Sequence, residues 1–104
     1  MAVNKKEIFD KKEISIADLA KAISHPARIS ILKMLANRDS CICGKIVEVM
    51  PLAQSTVSQH LKELKKAGLV KGTIDGQKSC YCIDRKKFNE MICLFNGFFN
   101  ELSI

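Results

Sequence analysis

Five cysteines carry most of the reactive chemistry in this sequence. Cys41 and Cys43 are one residue apart, Cys80 and Cys82 are one residue apart, and Cys93 stands alone. An odd count argues against a complete disulfide framework. Thiols clustered in a cytosolic chain point instead to metal binding or redox sensing. Cysteine is also a good small core residue, so spacing alone leaves both uses open. The two histidines, His25 and His60, fall in a helix-start and a helix context. Neither forms a constellation with a cysteine that would make a thiol enzyme, and no enzymatic activity is expected.

A second group of residues is suited to a polyanion. From Gln54 to Lys87 there are eight Lys/Arg against three Asp/Glu, in a chain whose net charge is +6. The remaining residues are nearly neutral. A basic segment inside a folded domain suggests nucleic acid as a partner. No Lys/Arg-rich amphipathic helix carries exposed aromatics, so a membrane surface is not expected.

These groups must be positioned by a small scaffold. The chain has 104 residues, 47% of them apolar and 27% charged, the composition of one globular domain spanning 1–104. No run approaches the roughly 18 apolar residues of a membrane helix. The opening stretch MAVNKKEIFDKKE has lysines but no apolar block behind them, so no secretory signal and a cytoplasmic location are expected.

Ile8, Phe9, Ile16, Leu19, Ala20 and Ile23 recur at roughly helical spacing and predict a first helix within residues 5–23. It must stop near Ser24-His25-Pro26, because the residue before proline disfavours helix. Pro26 then opens a second helix to Asn37. Residues 38–44 are a connector, and a short helix follows over Lys45 to Met50, ended by Pro51. Ser55 is placed as the cap of the next helix, which runs to Ala67 and stops at Gly68. Leu69 to Ile74 and Gln77 to Ile83 read as two strands joined by an Asp75-Gly76 turn. Arg85 to Leu102 is the last helix. The fold class is therefore mostly α with a β-hairpin wing (α+β), a winged helix-turn-helix.

On the helix after Pro51, Val57, Leu61 and Leu64 point one way. Ser55, Gln59, Lys62 and Lys66 point the other, with Thr56, Ser58 and His60 on the flanks. Short hydrogen-bonding side chains reach base edges in a major groove, and lysines reach phosphates. The expected DNA-contacting set is Gln54, Ser55, Thr56, Ser58, Gln59, His60, Lys62 and Lys66, with Lys71 and Lys78 from the wing. His60 lies near the edge of the apolar stripe and equally suits a hydrogen bond inside the domain. The last helix carries Phe88, Met91, Ile92, Phe95, Phe98, Phe99 and Leu102, more apolar surface than one small domain covers alone. A homodimer through these residues is expected. Cys93 lies about 140° around the helix from Phe88 and reads as a rim residue.

The stretch from ISHPARISIL through STVSQHLKELKKAGLV to DGQKSCYCI resembles the ArsR/SmtB family of metal-sensing repressors, over roughly residues 19–84. The resemblance implies a homodimer, formed through the first and last helices, that binds operator DNA and releases it when a metal or metalloid binds. Cys41 and Cys43 match the family's Cys-x-Cys-Asp motif of the arsenic-responsive type. Gly44 stands where that motif has Asp, and Ile46 where a third cysteine is often found. Residues 1–40 contain no cysteine for a cadmium- or lead-type site, and residues 85–104 contain neither the His nor the Asp of a zinc-type site. What remains is a thiolate site suited to As(III) or Sb(III), and also to Cd(II), Zn(II) or Cu(I). No cofactor is expected to be needed for folding.

Cys80 and Cys82 alternate along a strand and share a face, with Tyr81 and Ile83 on the other. In winged-helix domains the connector before the short helix often pairs with this strand. If Ile42, Tyr81 and Ile83 all point inward, Cys41, Cys43, Cys80 and Cys82 become neighbours. Such a cluster completes an As(III) trio, forms a four-thiolate site, or oxidises to cross-strand disulfides. The leading expectation is a metalloid-released repressor, and the alternative is a thiol-redox or persulfide-responsive repressor of the same fold.

Overall fold

The computed structural model describes residues 8–38, 41–43, 52–73 and 79–103. The expected short helix over 45–50, Gly44, Pro51, the Asp75-Gly76 turn and Lys78 lie outside them.

Helix α1 spans Lys11–Ala22, a later start than the apolar spacing alone implied. A capping box sets it. The Asp10 carboxylate accepts from the Glu13 backbone N–H at 2.8 Å, and the Asp10 N–H donates to Glu13 Oε1 at 3.1 Å. Helix α2, Pro26–Ala36, has proline in its first turn, and His25 caps it by accepting from the Ala27 N–H through Nδ1 at 3.0 Å. His25 is thus the helix-start residue the sequence suggested.

Helix α3, Gln54–Lys66, begins two residues earlier than expected. Its cap is Ala53, which has no side-chain hydrogen bond, and Ser55 lies within the first turn. The Ala53 carbonyl already accepts from Thr56 and Val57, both at 3.0 Å, so the helical ladder is under way before Ser55. The far end closes as expected. Gly68, at φ +85°, donates to Lys65 O at 2.9 Å and Leu69 N–H donates to Leu64 O at 3.0 Å, a Schellman closure that needs the left-handed residue.

Three short strands follow this frame: β1 Ile42–Cys43, β2 Val70–Thr73 and β3 Cys80–Ile83. They form one antiparallel sheet in the order β1-β3-β2. Gly72, at φ +119°, faces Tyr81 across β2–β3, and a Cβ there would collide with the Cys80 carbonyl. Helix α4 covers Arg85–Leu102, capped by the Asp84 carboxylate on the Lys87 N–H at 3.2 Å. The core gathers Leu19 of α1, Ile31 and Leu35 of α2, Val57, Leu61 and Leu64 of α3, Leu69, Val70, Tyr81, Ile83 and Met91. Ile42 packs against it from β1. Among the described residues, no helix is long and apolar enough to cross a membrane.

Candidate functional site

The amphipathic division of α3 is complete. Val57, Leu61 and Leu64 are buried, while Ser55, Thr56, Gln59, Lys62 and Lys66 are exposed along the opposite side. Gln54 and Ser58 are half-buried at its margins. The Gln59 amide donates to Glu63 Oε1 at 3.3 Å, one turn on. Lys65 is diverted from this face, because its ammonium donates to the Gly72 carbonyl and ties the end of α3 to β2. Lys71 on β2 is exposed.

His60 departs from the outward group. It is only 8% exposed, accepts through Nδ1 from Arg28 Nε at 3.1 Å, and stacks obliquely on His25 at 4.3 Å between ring centroids. Its position at the edge of the stripe is resolved inward by a partner 32 residues away. Burial pushes its pKa below the usual histidine value, and the neighbouring His25 and Arg28 push in the same direction. The imidazole is therefore neutral near pH 7, the state its acceptor role requires. Arg28 was not singled out by the sequence. The available signal was a charged residue three positions after His25, on the turn of α2 that faces α3.

The sheet carries the second candidate site. Ile42 faces Tyr81 and Cys43 faces Cys80 in the β1–β3 register. Tyr81 and Ile83 are buried, Ile42 packs inward, and Cys41, Cys43, Cys80 and Cys82 share the outer face. The condition set by strand alternation is met at every position. The structure joins Cys41 to Cys82 and Cys43 to Cys80, with Cα–Cα separations of 4.4 and 4.1 Å. Directly opposed residues approach this closely at non-hydrogen-bonded positions of an antiparallel pair. With all four sulfurs paired, no group of three or more His, Cys, Asp or Glu among the described residues stands ready to hold a metal. Reduction frees four thiols on one face of a sheet whose third strand, β2, is anchored to α3. Cys93 is free, exposed and on α4, apart from this cluster.

The last helix also needs one correction. Met91 is 5% exposed and belongs to the protomer's own core, so it is withdrawn from the expected interface. It faces inward because α4 packs against α1 and brings Met91 into the core cluster that holds Leu19. Phe88, Phe95 and Phe98 are half-buried, whereas Ile92, Phe99 and Leu102 are exposed. Ile8 and Phe9, just before α1, are exposed as well.

Comparison with known proteins places this arrangement. Residues 25–71 match the family model for bacterial regulatory proteins of the arsR family, a span that contains α2 and α3. An HTH-type transcriptional regulator of Methanocaldococcus jannaschii, MJ1325, is 42% identical over 79 residues, covering 75% of this chain and 88% of its own. The HTH-type transcriptional regulator YgaV of Escherichia coli is 36% identical over 76 residues, 73% of this chain and 77% of its own. The homodimeric winged helix-turn-helix DNA-binding domain Mb0332 of Mycobacterium bovis superposes with a TM-score of 0.62 at 24% identity, over 97% of this chain and 92% of that one. These relatives are named as transcriptional regulators rather than enzymes. The winged helix-turn-helix, the family match and the identity to these regulators together establish that the chain belongs to the arsR family of transcriptional regulators.

Proposed function

We propose that this chain is a single-domain, homodimeric repressor that acts in the cytoplasm. It binds operator DNA through α3 and the wing and releases it when a thiophilic metalloid, As(III) or Sb(III), reaches the cysteines of the sheet. The observation that carries this reading is the gathering of Cys41, Cys43, Cys80 and Cys82 on one outer face. As(III) is a three-thiolate ion, and Cys41 with Cys43 supply only two sulfurs. Cys80 and Cys82 supply the missing one. A reducing cytosol keeps such thiols free, and the donor set is the soft kind that also suits Cd(II), Zn(II) or Cu(I).

Gln54, Ser55, Thr56, Ser58 and Gln59 are assigned to base edges, and Lys62, Lys66 and Lys71 to phosphates. Lys78, outside the described residues, is assigned to phosphate on charge alone. His60 is not part of this set. The dimer is assigned to α1 and α4, through the exposed Ile92, Phe99 and Leu102 with the half-buried Phe95 on α4. An ion held between β1 and β3 would link the segment leading into residues 44–50 to the wing strand. A coupling of about 1–3 kcal/mol between that site and DNA corresponds to roughly 5- to 150-fold release.

A second reading is favoured by the cross-strand opposition of Cys41 with Cys82 and of Cys43 with Cys80. Each pair can lose two electrons and two protons to peroxide, giving one disulfide and water. The thiols would then report oxidation or persulfide rather than metalloid. Release of a selected duplex is to be measured against As(III), Sb(III), Cd(II), Zn(II), Cu(I), persulfide and peroxide, with single Cys→Ser variants. The metalloid reading expects Cys41→Ser and Cys43→Ser to bind DNA but ignore As(III), with bound ion recovered on denaturation of the unaltered protein. Normal As(III) response in both variants, with loss of response in Cys93→Ser, moves the sensor to α4 and overturns the assignment. Response to peroxide alone, with free thiols consumed and no ion recovered, selects the redox reading.

A further inference from the structure

The end of α1, the first turn of α2 and the middle of α3 meet at one guanidinium. Arg28, in the first turn of α2, donates from Nη1 to the carbonyl of Ala22, the last residue of α1, at 3.1 Å. Its Nε donates to His60 Nδ1, in the middle of α3, at 3.1 Å. His25, the α2 cap, lies against the His60 ring. The remaining contact between α2 and α3 is apolar, through residues such as Ile31, Leu35, Val57 and Leu61. Apolar contact is non-directional and tolerates a few degrees of roll. A planar guanidinium with two fixed donor directions does not. The neighbour of His60 in the chain is Gln59, on the outward face.

The geometry points to Arg28 as a positioning residue for DNA recognition: by bridging Ala22 O and His60 Nδ1 it fixes the roll of α3 and hence the aim of Gln59 and its neighbours. This rests on the DNA-binding role of α3 proposed above. Arg28 itself touches no DNA in this account. Lysine cannot replace it, because one ammonium on a flexible stem does not span two acceptors in fixed directions.

The bridge has a chemical signature. His60 accepts through Nδ1, so its one proton is on Nε2. A second proton would occupy Nδ1, abolish the acceptor and set an imidazolium against the guanidinium. The charged groups that act on it are His25 and Arg28, both from the α2 side; Asp18 and Lys21 of α1 and Glu63 and Lys66 of α3 line the pocket on Arg28 beside it. Burial, then His25, then Arg28 hold its pKa below the usual value. With the folded-state value depressed, the bridge is intact above it and is lost as pH falls through it. Specific DNA affinity falls on acidification with it. A histidine that contacted phosphate would do the reverse, gaining charge and binding more tightly in acid.

The test uses the full chain, kept reduced, and a duplex selected by that chain from a randomised pool, with an unrelated duplex as reference. Dissociation constants are measured from pH 8 to pH 5.5. The unaltered protein is expected to lose specific affinity on acidification, by up to about tenfold per pH unit per protomer below the His60 pKa. His60→Asn, whose Oδ1 sits near the Nδ1 position and cannot titrate, should bind normally at pH 7.5 and show a flat profile. His25→Asn, a good cap, should keep the acid loss. Arg28→Lys, with native circular dichroism, should lose about tenfold in specific binding at pH 7.5 while the unrelated duplex is bound as before. Tighter binding in acid, an unchanged acid slope in His60→Asn, or an unchanged specificity ratio in a folded Arg28→Lys overturns the proposal. A chain that selects no duplex overturns the DNA-binding reading and this proposal with it.

Discussion

On α3 the stripe of Val57, Leu61 and Leu64 is 2, 2 and 0% exposed, whereas on α4 only Met91, at 5%, reaches that depth. Both helices are amphipathic, and α4 has the larger apolar side chains. The difference lies in what covers them. The α3 stripe meets α2 and the start of β2 within the same chain. The α4 stripe is wider than α1 can cover, so Ile92, Phe99 and Leu102 remain at 41, 57 and 63% exposure. The comparison teaches that one helix is finished by its own fold and leaves only its polar side to solvent. The other is left unfinished on its apolar side. Exposed large apolar clusters of this kind mark interaction surfaces.

The largest expected effect separates the two directly. Leu64→Ala removes a fully buried side chain from α3 and should cost about 2–5 kcal/mol of unfolding free energy. Leu102→Ala, on α4, should change protomer stability by no more than about 0.5 kcal/mol. Urea unfolding at a protein concentration below dimerisation measures both. Similar losses at the two positions would mean that α4 is as enclosed as α3.

Next in size is the effect on assembly. Phe99→Glu with Leu102→Glu places two charges on the α4 patch and should raise the dimer dissociation constant by at least about a hundredfold. The helical signal in circular dichroism should persist, because neither side chain is in the protomer core. Sedimentation velocity distinguishes the outcomes, and a well-folded dimer in the double variant puts the interface elsewhere. Phe95→Glu is a harsher variant, since Phe95 is half-buried against the core and its loss mixes folding with assembly.

The same contrast explains what could be read from the sequence. The α3 stripe was legible because its spacing of four and three residues is a property of the helix alone. The crowding of apolar residues on α4 was legible too. Which of them faced inward was not, because that depends on where α1 lies, and Met91 was misassigned for this reason. His60 sat between two readings until Arg28, from another helix, fixed it. Ser55 has the better capping side chain, but capping chemistry did not decide the start of α3; the backbone is already helical at Gln54, directly after the extended Ala53. The four-cysteine face followed from strand parity once β1 was allowed to pair with β3. That pairing joins residues 37 to 41 positions apart, which no local periodicity encodes.

A smaller effect belongs to the polar side of α3. Gln59→Ala should narrow the gap between a selected and an unrelated duplex by about 1–3 kcal/mol, with little loss on the unrelated one. Gln59 is exposed, and its hydrogen bond to Glu63 is a surface interaction, so stability should hold. Equal losses on both duplexes would make Gln59 a backbone contact.

The smallest effect tests whether the wing merely adds charge. Lys71 is exposed on β2 and has no part in the core. If it neutralises one phosphate per protomer, Lys71→Ala should weaken selected and unrelated duplexes alike. Every phosphate that goes un-neutralised makes the negative slope of log affinity against log salt shallower by about 0.9, so for a dimer the steepness should fall by roughly two units. Lys65→Ala is the informative contrast, because that ammonium is committed to the Gly72 carbonyl. Its removal takes the tie between α3 and the wing away and should reduce preference for the selected duplex more than it changes the salt slope. If Lys65→Ala instead reproduces the Lys71→Ala slope change with no loss of preference, Lys65 is a phosphate contact on DNA. The wing would then be held to α3 by the sheet and the core alone.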